Sequence, residues 1–264
     1  LNVGTISQPS PNIRLTLLET NGTTAVGSAY AYLHDSQYSL WKNATSDSTG
    51  LMEFSVTRAG TYTVDIYAYH ATQSDPAPVT FTISASTDTV TQNVLLRVPS
   101  MHGKVVDQSG NAVQWASVSV YDSSYSYNGS GWASTDSNGE FRIKSLPTGT
   151  YTVSIYPPYS SNGTQLVAPD PFTVSLTEGT MNETYYTSPI QLSQPNKTIS
   201  GVVQYPDGTK VSGAYVSGYR SDGGSGYFSA TTNSAGAFTA LTGKGQYKIY
   251  TYPSWVNGQT PDWG

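Results

Sequence analysis

The chain has 264 residues and a net charge of -5, and only 11% of its residues are Asp, Glu, Lys or Arg, against about 25% in an average soluble domain. The chain is acidic and has no excess of Lys and Arg, so nucleic acid is not expected as a partner. The lack of Cys excludes a disulfide framework and thiol chemistry. A disordered chain is excluded because 37% of the residues are hydrophobic and 21 Tyr and 5 Trp offer large surfaces for burial.

Apolar residues alternate with polar ones along most of the chain. The alternation is clear at Tyr62, Val64 and Ile66, and again at Val118 and Val120. Such period-two segments between turns rich in Gly, Asn, Asp and Pro predict an all-β fold of sandwiches or barrels. No apolar run reaches the roughly 18 residues of a transmembrane helix, so no membrane span is expected in this segment.

Two sequence markers recur with nearly the same spacing. The first is a Tyr-x-apolar strand at Tyr62, Tyr151 and Tyr247, with intervals of 89 and 96 residues. The second is a turn glycine before an apolar strand, at Gly50, Gly139 and Gly236, with intervals of 89 and 97 residues. We therefore expect three tandem β-sandwich domains at residues 9–98, 99–195 and 196–264, preceded by a separate strand at residues 1–8.

The third repeat is expected to lack its closing strands. After its Tyr-x-apolar strand, the first repeat has two further predicted strands, at residues 79–83 and 93–96. The second repeat has two at residues 172–176 and 185–192, and the third repeat has neither. At the other end, residues 3–9 parallel residues 189–195, the closing strand of the second repeat.

The N-terminal strand, with Val3, Thr5 and Ile6, therefore resembles the last strand of a sandwich that lies elsewhere. Two explanations remain open. The sequence is a section of a longer tandem array, which is favoured because one donated strand fills only one of two vacancies. Alternatively, the strand of one subunit completes the open domain of the next by β-augmentation, which satisfies unpaired backbone groups.

The second repeat resembles the carboxypeptidase regulatory-like domain, a transthyretin-like or Ig-like sandwich that is also similar to the Cna-B repeats of bacterial adhesins and pilins. The residues that carry the resemblance are Gly103, Val105, Asp107, Gly110, Val113, Ala116, Val118, Thr135, Asp136, Gly139, Phe141, Leu146, Pro147, Gly149, Tyr151 and Val153. The resemblance implies a building module used in accessory, stalk and adhesive proteins, and it implies no reaction.

Residues suited to catalysis or metal binding are few. His34, His70 and His102 lack metal-ligand spacing and are expected to be solvated or at strand edges. The run from Asp222 to Gly226 predicts a flexible hairpin loop, since it joins two strands. The run from Asp136 to Glu140 predicts a turn with Asx hydrogen bonds, not a calcium loop. We expect no cofactor, no metal and no enzymatic activity.

Six N-x-S/T sequons make N-linked glycans an expected partner. They lie at Asn21, Asn43, Asn128, Asn162, Asn182 and Asn196, and the first four fall in predicted turns or loops. Glycans would supply hydration that so few charges cannot.

Tyrosines cluster in four segments, at residues 30–32, 121–127, 156–159 and 250–252. Their first interpretation is cross-strand and interdomain packing, followed by a subunit contact and then by a carbohydrate platform.

Together these features predict a non-enzymatic extracellular or cell-surface structural protein: a stalk, an adhesin, or a subunit of a pilus-like filament. Its partners would be copies of itself, joined head to tail, or neighbouring modules of a longer chain. The alternative function is a carbohydrate-binding accessory region of a secreted hydrolase.

Overall fold

The computed structural model describes residues 10–123, 129–158 and 165–252. Their regular secondary structure consists of β-strands apart from one helix of four residues, so the predicted all-β sandwich class is confirmed. They divide into two compact bodies. The first body comprises the described residues up to Ser100 together with Glu178–Met181, and the second comprises the described residues of Met101–Thr177 and those from Asn182 onward.

The first body is a two-sheet sandwich. Its strands are β1 (Ile13–Leu18), β2 (Tyr30–Asp35), β3 (Trp41–Thr45), β4 (Leu51–Phe54), β5 (Gly60–Tyr67), β6 (Val79–Ile83) and β7 (Val90–Leu95). One sheet has the order β4-β1-β7, in which β1 and β7 are parallel, and the other is an antiparallel sheet of order β3-β2-β5-β6. The alternating residues Tyr62, Val64 and Ile66 all point into the core, as predicted.

The N-terminal part of the second body is called the middle sandwich. It contains β8 (Met101–Val106), β9 (Ser117–Tyr121), β10 (Ser130–Ser134), β11 (Glu140–Ile143), β12 (Gly149–Tyr156), β13 (Phe172–Leu176), the short helix α1 (Thr184–Thr187) and β14 (Ile190–Gln191). Its sheets have the orders β10-β9-β12-β13 and β11-β8-β14, with β8 and β14 parallel.

Helix α1 corrects the sequence prediction, which made residues 185–192 one strand. The Asn182 side chain accepts a hydrogen bond from the N–H of Thr184, which turns the chain into the helix. The ring of Tyr186 then stacks on His102 at 4.1 Å between centroids, and Tyr185 packs on Phe172 at 4.9 Å. These ring contacts pack the helical segment against the middle sandwich before β14 begins.

The C-terminal sheets follow within the same body. Their strands are β15 (Lys197–Val202), β16 (Tyr215–Arg220), β17 (Tyr227–Thr231), β18 (Ala237–Thr242) and β19 (Tyr247–Tyr252). β15 pairs with β18, and the other sheet has the order β17-β16-β19. Within residues 197–252, no counterparts of β13 and β14 are present.

Three local structural features recur in the three repeats, at the same spacing as the sequence markers. Gly50, Gly139 and Gly236 all have positive φ, and a Cβ on any of them would overlap a backbone carbonyl oxygen. A buried hydroxyl four residues earlier, on Ser46, Thr135 and Thr232, accepts one backbone N–H and donates to one carbonyl in every repeat. The Tyr62, Tyr151 and Tyr247 hydroxyls each donate to the carbonyl four residues before them.

Each repeat has its own hydrophobic cluster, and the three clusters are separate. The division into exactly bounded domains at residues 98 and 195 stays a prediction, because the chain separates into two compact bodies.

Candidate functional site

The candidate site is the outer edge of β15. Its counterparts β1 and β8 each lie between two strands, whereas β15 pairs with β18 alone in the described part of the chain. The difference shows in burial: Ile13 and Met101 are fully buried at the starts of β1 and β8, and Ile199 at the same position of β15 is only half-buried. Among the described residues, this edge therefore has no strand partner for its backbone groups, and its apolar surface is incompletely covered.

The first two repeats show how such an edge is closed. In the first body, the N–H of Leu96 donates to the carbonyl of Leu18 at 2.8 Å. In the middle sandwich, the N–H of Leu192 donates to the carbonyl of Val106 at 2.8 Å. Both leucine side chains are buried, so each closing strand supplies a ladder hydrogen bond and a core residue.

The equivalent acceptor in the C-terminal sheets is the carbonyl of Gln204. Val105 donates its N–H to Gly139, and Val203 donates its N–H to Gly236, both at 2.8 Å. These matching bonds align Val203 with Val105, and hence Gln204 with Val106. Gln204 is exposed, which leaves its side of the strand accessible to a further strand.

A second open edge lies on β19. Its counterparts β5 and β12 each pair with a further strand, β6 and β13, whereas the described residues pair β19 with β16 alone. Ile249 is 45% exposed, although Val64 and Val153 at the same position are fully buried. The C-terminal sheets thus have two edges, on β15 and β19, that further strands cover in the other repeats and that no described residue covers here. The predicted lack of closing strands up to residue 264 stays a prediction, because residues 253–264 lie outside the described part of the chain.

The predicted donor residues Val3, Thr5 and Ile6 lie outside the described residues. Their sequence context nevertheless gives a register. Leu96 and Leu192 each stand three residues before a proline, Pro99 or Pro195, and Ile6 stands three residues before Pro9.

The Gly-rich run after β16 is anchored by charge. The Arg220 guanidinium donates to Asp222 at 2.8 Å and to Asp170 of the middle sandwich at 2.8 Å. The hydrogen bond from Arg220, and then the N–H of Gln246, hold the pKa of Asp222 well below its usual range, and Asp222 in turn raises the pKa of Arg220. The run joins β16 and β17, as predicted. It is not a free loop, because the bonds of Arg220 and Asp222 fix it, and the Ser225 hydroxyl donates to the carbonyl of Ile155.

The expectation of solvated or strand-edge histidines is wrong for two of the three. His34 lies on the central strand β2, is buried, and contacts Asp65 at 3.0 Å. His102 lies on the central strand β8, is buried, and contacts both Glu140 and Glu183 at 3.3 Å. Carboxylate partners make this burial possible, because an unpaired polar group in a core is costly. In residues 10–123, 129–158 and 165–252, no group of three or more potential ligands is placed to hold a metal ion.

The turn at Asp136 has the predicted Asx hydrogen bonds. Its carboxylate accepts the N–H groups of Asn138 and Glu140 at 2.8 and 2.9 Å.

Three of the described sequon asparagines lie outside the strands. Asn21 is exposed in a turn and its side chain accepts the N–H groups of Thr23 and Thr24. Asn196 is exposed just before β15, and Asn182 is half-buried before α1.

Asn43 corrects the loop prediction. It lies within β3 opposite Tyr32, and its exposed amide donates to the Tyr30 hydroxyl at 2.7 Å. The remaining sequons, at Asn128 and Asn162, lie outside the described residues.

Two of the four tyrosine clusters, at residues 30–32 and 250–252, pack across strands, and the clusters at residues 121–127 and 156–159 lie partly outside the described residues. The rings of Tyr219 and Tyr250 stack at 5.5 Å between centroids, and their hydroxyls lie 2.8 Å apart. Hydrogen bonding by Tyr219 and then by Lys248 lowers the pKa of Tyr250. In the first body, Tyr32 contacts Tyr67 across strands at 6.0 Å.

Comparison with known proteins identifies part of the chain. The family model described as carboxypeptidase regulatory-like domain matches residues 100–182, in agreement with the resemblance found in the sequence. No curated protein matches the chain in sequence. Among the described residues, no helix has the length and apolar character needed to cross a membrane.

Several solved structures are similar at low identity. The TIE protein of Bacillus anthracis is 19% identical with a TM-score of 0.31, and the match covers 93% of this chain and 46% of that one. A Streptococcal ancillary pilin is 16% identical with a TM-score of 0.33, covering 94% of this chain and 93% of the pilin. The major pilin subunit BcpA of Bacillus cereus is 12% identical with a TM-score of 0.30, covering 94% and 90%. The chain thus spans about half the length of the first of these proteins.

Proposed function

We propose that this chain is a non-enzymatic structural protein of the cell surface that assembles head to tail into a pilus-like filament. In this proposal, residues 1–8 of one copy pair in parallel with β15 of the next copy. The observation that carries it is the open edge of β15, whose counterparts β1 and β8 are both closed by a parallel strand.

The physical drive for this assembly is the edge itself. An uncovered edge strand exposes N–H and C=O groups that another strand can satisfy, and such edges otherwise lead to uncontrolled aggregation. Each copy carries both the donor segment of residues 1–8 and its own β15 edge, so a copy that donates its strand still has an edge to be closed. The contact is therefore heterologous and propagates into a linear polymer.

The sequence of residues 1–8 supports the proposed register. With Ile6 at the position of Leu96 and Leu192, its N–H would donate to the carbonyl of Gln204, and its side chain would enter the core beside Val203. The same register pairs Thr5 directly with Gln204, as Gln191 pairs with Val106. Val3 and Thr5 then face away from the core.

The composition and the chemistry of the described residues support a structural role. The three histidines have carboxylate partners and are not grouped as metal ligands in the described ranges. Asn21 and Asn196 are exposed in sequons, so N-linked glycans can hydrate the surface of a chain with only 11% charged residues.

A neighbouring module of a longer chain would close β15 through the same contacts as a second copy.

Deletion of residues 1–8 tests the proposal. We expect the intact chain to form linear polymers in negative-stain micrographs, and the deleted chain to stay monomeric while the first body and the middle sandwich remain folded. A synthetic peptide of residues 1–9 in excess should shorten the polymers of the intact chain, because it occupies the same edge. Polymers of unchanged length from the deleted chain would refute the proposal.

A further inference from the structure

One face of the first body carries an unusual set of aromatic side chains. It is the outer face of β3, β2 and β5, and we call it the aromatic face. Its aromatic residues are Tyr30, Tyr32, Tyr38, Trp41, Tyr67 and Tyr69. Trp41 is 56% exposed, Tyr38 58% and Tyr69 85%. Aromatic rings usually bury most of their surface, so this much exposure in one place calls for an explanation.

The rings are ordered by contacts with one another. Tyr38 lies flat against His34 at 4.5 Å and close to the plane of Trp41 at 5.4 Å. Tyr32 meets the edges of Trp41 and Tyr67 at 6.0 Å each. Neighbouring rings thus hold Trp41, Tyr38 and Tyr32 in place, while Trp41 and Tyr38 keep more than half of their surface exposed, which pre-organises the surface for a ligand.

Backbone strain marks the two ends of this face. Tyr38 and Tyr69 have φ angles of 54° and 50°, in the left-handed region that bulky residues rarely adopt. Glycine or asparagine would fit both positions with less strain, and neither ring is needed to fill a core. Strain kept by exposed aromatic residues is typical of functional surfaces.

The charge of the aromatic face defines the chemistry of its ligand. The outward positions of β2, β3 and β5 include one acid and one histidine, Asp65 and His34, and these two form a pair with each other at 3.0 Å. No Lys or Arg occupies those outward positions to meet a phosphate or carboxylate. The complementary ligand is therefore uncharged, with a flat apolar side for the rings and hydroxyls for Asp65, Asn43 and the tyrosine hydroxyls.

We propose that the aromatic face binds an uncharged saccharide chain laid along β2. A pyranose ring combines an apolar C–H side, which stacks on Trp41 and Tyr38, with hydroxyls at its rim. From Tyr30 to His34, β2 is about 13 Å long at roughly 3.3 Å per residue, so the face accommodates an extended oligosaccharide. This inference is independent of the assembly at β15.

Binding is tested with protein made in a bacterial host without N-glycosylation, because a glycan on Asn43 would occupy the same face. The probes are insoluble cellulose and chitin in a pull-down, and soluble mannan in affinity electrophoresis. We expect retention by at least one probe, and a loss of affinity of about tenfold in Trp41→Ala and in Tyr38→Gly, the size expected for one stacking contact.

Two controls separate binding from folding. Trp132→Ala removes another exposed tryptophan, 73% accessible on β10 opposite Ser119, and should leave retention unchanged. Tyr38→Gly should not lower Tm, because glycine suits the positive φ at that position. Absence of retention on all three probes would overturn the proposal, and so would equal retention of the Trp41→Ala variant or an equal loss in Trp132→Ala.

Discussion

Replacing Thr135 by valine tests the role of the buried hydroxyl that recurs in the three repeats. The Thr135 side chain is almost fully buried. Its hydroxyl accepts the N–H of Ala116 at 2.8 Å and donates to the carbonyl of Val113 at 2.6 Å. Valine keeps the shape of threonine but leaves both backbone groups buried without a partner.

The expected cost follows from those two bonds. An unsatisfied buried donor or acceptor costs about 1–3 kcal/mol, so Thr135→Val should destabilise the middle sandwich by roughly 3 kcal/mol. Thr135→Ser is the matched control, because it keeps the hydroxyl and removes one methyl group, at about 1 kcal/mol. The difference between the two variants isolates the hydrogen bonds from the packing.

Native-state hydrogen exchange followed by mass spectrometry is the suitable assay. A chain with several cores does not unfold in one two-state step, so a single free energy of unfolding is not defined. We expect Thr135→Val to lose protection at Ala116 and throughout β9 and β12, with β1 and β5 of the first body unaffected. A Thr135→Val variant as well protected as Thr135→Ser would refute this account of the hydroxyl.

Three further predictions concern a glycine, a pH dependence and the donor strand. Gly139→Ala should destabilise the middle sandwich by about 2 kcal/mol, because the left-handed conformation is unfavourable for alanine and the Cβ would also overlap a carbonyl. Gly110→Ala, with positive φ but open space, should cost less in the same hydrogen-exchange assay. The pKa of Asp222 is lower in the folded state than its unfolded value of about 3.9. Its bond to Arg220 should therefore stabilise the C-terminal sheets above that pH and lose this effect as the pH falls toward the folded pKa. The melting temperature plotted against pH from 7 to 2.5 should change less for Asp222→Asn than for the unchanged chain, and identical pH profiles would contradict the assignment. In the proposed register Gly4 takes the position of Val94 and Ile190, which are buried in the closed repeats. Gly4→Val adds an apolar side chain there and should increase the polymer length measured by light scattering. Shorter polymers would argue against the register.

The strands and turns of this protein could be predicted from local sequence patterns. Val118 and Val120 alternate with serines, and this pattern places them in the core whatever the partner strand is. The turn glycines were found by their spacing, since a positive φ beside a close carbonyl tolerates no other residue. Comparing the repeats with one another also predicted that the third one lacks its closing strands, and in the described residues β15 and β19 each pair with one strand.

Features that depend on contacts between distant residues could not be predicted. The burial of His102 depends on Glu140 and Glu183, which are 38 and 81 residues away in sequence. Helix α1 has only four residues, too few to show a helical periodicity in the sequence. Its Tyr186 ring contacts His102, which is 84 residues away in sequence, and local sequence patterns do not reveal such a contact.

The aromatic face was predicted only in part, through the tyrosine cluster at residues 30–32, for which a carbohydrate platform was the third interpretation. Its rings come from three strands and two turns, and only the pair Tyr30 and Tyr32 stands out along the sequence. The serine or threonine before the turn at Asp47, Asp136 and Asn233 was a usable signal for the buried hydroxyl, because it stands four residues before the glycine in every repeat.

The most direct test of head-to-tail assembly uses the absence of Cys from these 264 residues. A chain with Thr5→Cys is mixed with a chain with Gln204→Cys under mild oxidation. Directly paired strand residues lie within the 4.4–6.8 Å between Cα atoms that a disulfide requires, and the proposed register pairs these two positions. We predict a disulfide-linked heterodimer. A matched chain with Ser200→Cys, displaced by about 13 Å along β15, should not crosslink to Thr5→Cys. Equal crosslinking at both positions, or none at Gln204, would contradict the assembly.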